Sequence, residues 1–162
     1  MFAQLIRKST NKVPPGILRR VANLWAPFFG AGIDVVHVSP DYRHIRVELK
    51  YRWYNKNYVG THFGGSMYAM TDPFYMMMLI HNLGKAYIVW DKGAKIDFIK
   101  PGRSTLTATF SLDEKQIRQI KQKADSQKKY VFDIPVEIFD TEGDVVATIV
   151  KTLYVRKKTQ PE

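Results

Sequence analysis

The stretch HFGGSMYAMTDPFYMMMLIH, residues 62 to 81, constrains the fold more than any other part of this chain. Met67, Tyr68, Ala69, Met70, Phe74, Tyr75, Met76, Met77, Met78, Leu79 and Ile80 leave a helix made from it with no polar face. Such a helix must be covered all round, and the surface large enough to do so is a sheet curved around it together with a partner subunit. Asp72 is the one acidic or basic residue between His62 and His81. A carboxylate in apolar surroundings is costly to desolvate and needs hydrogen-bond partners, a charge, or a purpose. Pro73 lacks a backbone donor, its ring conflicts with the Ala69 carbonyl, and it disfavours helical geometry at Asp72, so a kink is predicted there. Gly64-Gly65-Ser66 stands at the expected helix start, where unpaired amides and the positive dipole end favour a developing negative oxygen. The plain alternatives are an Asp72 that only accepts a structural hydrogen bond and a Gly-Gly that only turns the chain.

The rest of the chain reads as alternating elements of a single domain. The chain has 162 residues, 45% of them hydrophobic, enough to build one core. An N-terminal extension is expected over 1–16, a single domain over 17–158 and a tail over 159–162. Ile17, Leu18, Val21, Leu24, Trp25 and Phe28 recur at helical spacing opposite Arg19, Arg20 and Asn23, predicting an amphipathic helix closing near Pro27 or Gly30. Residues 31–38 and 43–53 predict a hairpin across Ser39-Pro40-Asp41, with Ile45, Val47, Leu49 and Tyr51 on the buried side. Strands are expected over 87–100 and 104–112, a surface helix capped by Asp113 over 113–127, and a final hairpin across Thr141-Glu142-Gly143.

The residues Asn57, Gly64, Gly65 and Asp72 resemble the motif of hot-dog fold acyl-CoA thioesterases, above all the phenylacetyl-CoA thioesterase-like branch. The fifteen-residue step from Asn57 to Asp72 and the seven-residue step from Gly65 to Asp72 are both present. NYVGTHFGGSMYAMTDPFY with YIVWDKGAKIDF is closer still to a less characterised hot-dog family of tetrameric acyl-CoA thioesterases, over roughly residues 17 to 156. The resemblance implies an α+β fold: an antiparallel sheet wrapped around a long central helix. It also implies thioester hydrolysis, with the Gly65 amide as oxyanion donor, Asn57 or His62 assisting, and Asp72 as general base or nucleophile. The sequence departs from the motif at one place, because Phe63 separates His62 from Gly64. Seven residues of helix span about 10 Å, so one carbonyl cannot touch both Gly65 N–H and Asp72 of the same chain. The site is therefore expected to be shared in a homodimer, as the resemblance also implies, within a homotetramer.

Gly64, Ser66, Thr61 and Trp90 are candidates for the acyl path, and Tyr68 with them. Arg103, Lys92, Lys100 and the Arg52/Lys56 pair are candidates for the phosphates of coenzyme A, which enters as part of the substrate and is no cofactor. Each of these residues has an ordinary packing or surface role as its alternative. No cysteine is present, which excludes disulfides and thiolate metal sites. His37, His44 and His81 lack metal-ligand spacing, so no metal is assigned. Lys and Arg number 25 against 15 acids, with ten basic and three acidic residues in 1–60. That surplus suits steering of an anionic small molecule, and no nucleic-acid motif accompanies it. No apolar run reaches the ~20 residues that cross a bilayer, and a cytoplasmic location is the default expectation. A non-catalytic acyl or lipid binder and a hot-dog dehydratase or hydratase are the competing readings.

Overall fold

The protein's structure, a computed structural model, describes residues 13–158. The expected N-terminal extension lies outside the described residues as far as residue 12, and so does the tail at 159–162. In chain order the elements are α1 (Pro15–Leu24), α2 (Ala26–Ala31), β1 (Ile33–Val38), β2 (His44–Leu49), α3 (Gly64–Ala69) and α4 (Phe74–Leu83). They continue with β3 (Tyr87–Phe98), β4 (Leu106–Ser111), α5 (Glu114–Ser126), β5 (Tyr130–Phe139) and β6 (Val145–Lys157). The strands form one antiparallel sheet in the order β1-β2-β4-β5-β6-β3. This is the α+β, sheet-around-helix architecture of the hot-dog fold.

The period-2 pattern decides which face meets the helix. Ile45, Val47 and Leu49 on β2 pair with Phe110, Ala108 and Leu106 on β4, and all six are fully buried. The Phe110 ring centroid lies 5.0 Å from that of Phe74 and 5.1 Å from that of Tyr75, so the sheet grips α4 through aromatic contacts. β2 ends at Leu49, earlier than the alternation through Tyr51 implies. The buried Asn55 side chain turns the chain there, donating to the carbonyls of Lys50 at 2.7 Å and Ala31 at 2.8 Å and accepting from Arg52 N–H at 3.0 Å. Gly32, at φ 77°, leaves room for this amide, since a Cβ there would meet Asn55 Nδ2 at 2.5 Å.

The N-terminal helix is present, but its buried face is rotated from the expected one. Leu18, Ala22 and Phe28 are buried, whereas Ile17, Val21, Leu24 and Trp25 are exposed. The rotation follows from Asn23, expected on the polar face, which instead binds β1: Val35 N–H donates to its Oδ1 at 2.7 Å and its Nδ2 donates to Val35 O at 3.3 Å. These bonds satisfy an edge strand where its pairing with β2 slips between Val35 and His37. α5 carries the expected cap as a reciprocal box, Gln116 N–H to Asp113 Oδ1 at 2.6 Å and Asp113 N–H to Gln116 Oε1 at 2.9 Å.

The kink expected at Asp72 is a full interruption. α3 ends at Ala69, α4 starts at Phe74, and the Asp72–Pro73 peptide is cis. Replacing Phe110 with alanine is expected to lower the unfolding free energy by roughly 3–5 kcal/mol, measured by urea unfolding, because its cavity would open between the sheet and α4.

Candidate active site

The helix interruption brings Asp72 to a charge cluster. Asp72 does not sit sealed among apolar side chains, as the sequence suggested: its side chain is 47% exposed, because the chain leaves the helical path between Ala69 and Phe74. Lys151 Nζ lies 3.4 Å from Asp72 Oδ1 and 2.7 Å from Asp91 Oδ2. The Lys151 side chain is 1% exposed and that of Asp91 14%. The Tyr68 ring, on α3, stands 5.0 Å from the same ammonium. Lys151 comes from β6, and Asp91 from β3, where the ladder between the two strands slips between Asp91 and Gly93.

Electrostatics and geometry agree that Asp91 is unusual. Desolvation pushes its carboxyl up to about 6 against the attraction of Lys151, and the neighbouring Asp72 adds to the rise. Burial opposes the charge on Lys151, but its close contact with Asp91 and the field of Asp72 outweigh burial and hold the ammonium above its usual range. The ammonium is close to Asp91 Oδ2 yet off the hydrogen-bonding axis, so both carboxyl oxygens retain unfilled hydrogen-bonding capacity among the described residues. The contact is best described as an ion pair.

The other expected site residues gather in the loop that enters α3. Asn57 Nδ2 donates to Thr61 Oγ1 at 2.7 Å and to His62 O at 3.2 Å, and its Oδ1 accepts from Val59 N–H at 3.1 Å and Thr61 N–H at 3.0 Å. That amide and the buried Thr61 therefore build the loop. His62 is buried beside Tyr51, and its Nε2 is 2.8 Å from Ser104 O. Since a carbonyl only accepts, Nε2 carries the proton, and Nδ1 is a buried acceptor without a partner among the described residues. Desolvation holds the His62 pKa below 6.5, with the Ser104 carbonyl opposing. The amides of Gly64 and Gly65 have no acceptor among the described residues. The Phe98 ring lies over Gly64 and the Phe63 ring over Gly65, where an added Cβ would meet them at 2.8 Å and 2.3 Å. Ser66 is buried one position further along α3.

Trp90 and Arg103 are exposed, and Arg103 lies between Gly102 and Ser104, whose carbonyls bond His62 N–H at 2.9 Å and His62 Nε2 at 2.8 Å. Trp90 borders an open depression of about 420 Å³ with Ile88, Asp91, Lys92, Tyr154 and Arg156. Lys100 is held by Asp140 and Asp144, each at 2.6 Å, in a turn far along the sequence from Asp72. The enclosed cavity lined by Leu18, Trp25, Phe28, Pro73, Phe74 and Met77 has about 10 Å³, space for no more than a single water.

A family profile described as a domain of unknown function, DUF4442, matches residues 16–155. The chain belongs to the DUF4442 family. No curated protein matches the sequence. Among solved structures, a Pseudomonas aeruginosa protein of unknown function, PA5026, described as a probable thioesterase, superposes with a TM-score of 0.78 at 18% identity, covering 90% of this chain and 97% of that one. Thioesterase HI1161 of Haemophilus influenzae gives 0.64 at 15% identity, over 93% and 95% of the two chains. The E. coli PaaI protein, from the phenylacetic acid degradation operon, gives 0.58 at 16% identity, over 89% and 92%. At these identities the likeness establishes the shared hot-dog fold.

Two residues of this DUF4442 chain escaped the sequence reading, Asp91 and Lys151. A signal for both was present: Lys151 shares the inward phase of β6 with Ile149, Leu153 and Val155, and Asp91 that of β3 with Tyr87 and Val89. A lone charge at an inward strand position needs an opposite charge facing it. For His62, the unfolded imidazole takes a proton below about pH 6.5 while the native one resists it, so stability falls as pH drops through that value. The difference in unfolding free energy between wild type and His62→Gln is expected to shift against the wild type from pH 7 to pH 5, measured by urea unfolding across pH.

Proposed function

We propose that this protein hydrolyses acyl thioesters, as an acyl-CoA thioesterase whose site is shared between two copies of the chain. The observation that carries the proposal is Asp72: a carboxylate 47% exposed at the helix interruption, with an ammonium beside it and a route to solvent. As base, Asp72 accepts a proton from water while the water oxygen bonds to the thioester carbonyl carbon. The oxyanion formed is stabilised by the unpaired amide of Gly65. Collapse breaks the carbon–sulfur bond, and the proton passes from Asp72 to the leaving thiolate. Direct attack by Asp72, through an anhydride that water then opens, uses the same groups.

The two parts of this machinery are separated by α3, with Gly65 in its first turn and Asp72 in the break after its last. Both ends lie along β3, with Gly64 under Phe98 and Asp72 tied through Lys151 to Asp91. β3 is an edge strand of twelve residues, open to pairing with another strand. Antiparallel pairing with β3 of a second copy, about a two-fold axis near Ala94 and Lys95, sets the Phe98 end of one against the Asp91 end of the other. The Gly65 amide then faces the partner subunit's Asp72. The exposed Phe63, Tyr68, Trp90 and Phe98 lie along this contact and line the acyl path, with further assembly into a tetramer. Coenzyme A is the carrier that suits the basic surplus, through Lys92, Arg103 or Arg52 with Lys56.

The second reading, an acyl binder without turnover, draws on Asn57, whose side-chain amide is engaged in its own loop, and on His62, whose Nε2 is held by Ser104 O. Asp72→Asn separates the two. As an enzyme the variant is expected to lose about 10²-fold or more of its turnover across a panel of acyl-CoA chain lengths while still binding acyl-CoA. Undiminished hydrolysis by the variant would overturn the assignment, and full activity in a protein that sizes as a monomer would overturn the shared site.

A further inference from the structure

The Asp72–Lys151–Asp91 group has one charge too many for a structural ion pair. We propose that Asp91 and Lys151 are positioning residues for Asp72: Lys151 divides its charge between the two carboxylates, Asp91 holds the larger share, and Asp72 keeps a free oxygen aimed at water. The inference rests on the hydrolase reading and deepens it.

Three observations support it. Exposure rises in order from Lys151 to Asp91 to Asp72, so the group leads from the core to solvent and ends at the carboxylate proposed to act. The distances divide the ammonium unequally, 2.7 Å to Asp91 and 3.4 Å to Asp72, which orients Asp72 through Oδ1 without a tight bond that would quench it. The ladder slip between Asp91 and Gly93 puts an extra residue into β3 beside Asp91, a device that re-aims a strand side chain. A lysine whose only task was to fill this place would be replaced by an apolar side chain of similar size at little cost.

Among the described residues, the depression beside Asp91 also carries the cations Lys92 and Arg156. Lys151 comes from β6, Asp91 from β3, Asp72 from the helix interruption, and the Tyr68 ring from α3. β5 meets Lys151 with the apolar Ile134. When Asp91 takes up a proton, near pH 6, the ammonium is left to Asp72 alone and the division of its charge is lost. The acid limb of the rate profile then belongs to the carboxyl pair.

The test is a pH series of kcat and KM on acyl-CoA substrates for the wild type, Asp91→Asn, Lys151→Arg and Lys151→Met. Carbon-13 titration of the Asp91 carboxyl in wild type and Asp72→Asn runs alongside, where loss of the neighbouring carboxylate is expected to lower the Asp91 midpoint. Asp91→Asn is expected to lower kcat about tenfold with KM nearly unchanged, and to move the acid limb of the rate profile down. Lys151→Arg is expected to retain part of the rate that Lys151→Met loses. An active wild type with kcat and acid limb unchanged in a folded Asp91→Asn would overturn the positioning role and leave the hydrolase reading standing. A wild type inactive on every acyl-CoA would overturn the hydrolase reading, and the titration would still decide the charge division: a downward shift of the Asp91 midpoint in Asp72→Asn supports it, and an unmoved midpoint overturns it. Should Lys151→Met fail to fold, the rate profile of Asp91→Asn and the Asp91 titration decide the positioning role without it.

Discussion

Everything in this molecule follows from the need to cover an apolar helical segment that has no face for water. The sheet supplies the cover on one side, through Phe110 against Phe74 and Tyr75 and through the buried rows of β2 and β4. α1 and α2 close another part through Leu18, Ala22 and Phe28. What stays open is the side along β3, where Phe63, Tyr68 and Phe98 remain exposed beside an unpaired strand edge. Apolar rings and free backbone donors along one edge are the surface that a second copy would bury.

Polar groups could enter this environment only as a balanced set. Lys151, surrounded by sheet and helix, keeps its charge because Asp91 and Asp72 face it, and the break between α3 and α4 is what lets Asp72 reach it. Pro73 imposes that break, since neither its ring nor its missing donor suits a continuous helix. The break thus serves two ends: it satisfies the buried ammonium, and it leaves a carboxylate half in solvent. The loop before α3 shows the opposite arrangement, with the Asn57 side chain bonded to Thr61 and His62 Nε2 bonded to Ser104 O.

Most of the fold was legible along the chain. Alternation located the inward residues of β2 and β4, Asp113 signalled the α5 cap, and Pro73 signalled the interruption. The face of α1 was not legible, because helical periodicity cannot anticipate an Asn23 side chain that binds the edge of β1. Nor was the exposure of Asp72, since its apolar neighbours in sequence point away once the chain leaves the helix. The candidate site divided in the same way: Asp72 and the Gly64-Gly65 pair stood out as local anomalies, while Asp91 and Lys151 looked like ordinary strand charges until their phases were compared.

The sequence by itself determined that an apolar helix, broken at Asp72, would lie against an antiparallel sheet, because periodicity, turn residues and proline act within a few positions of each other. Only the tertiary structure decided that Asp72 shares an ammonium with Asp91. The three residues come from separate stretches of chain, 19 and 60 positions apart in succession, and an ion group of that kind exists only once the sheet order and the ladder slip in β3 have placed their side chains on one face.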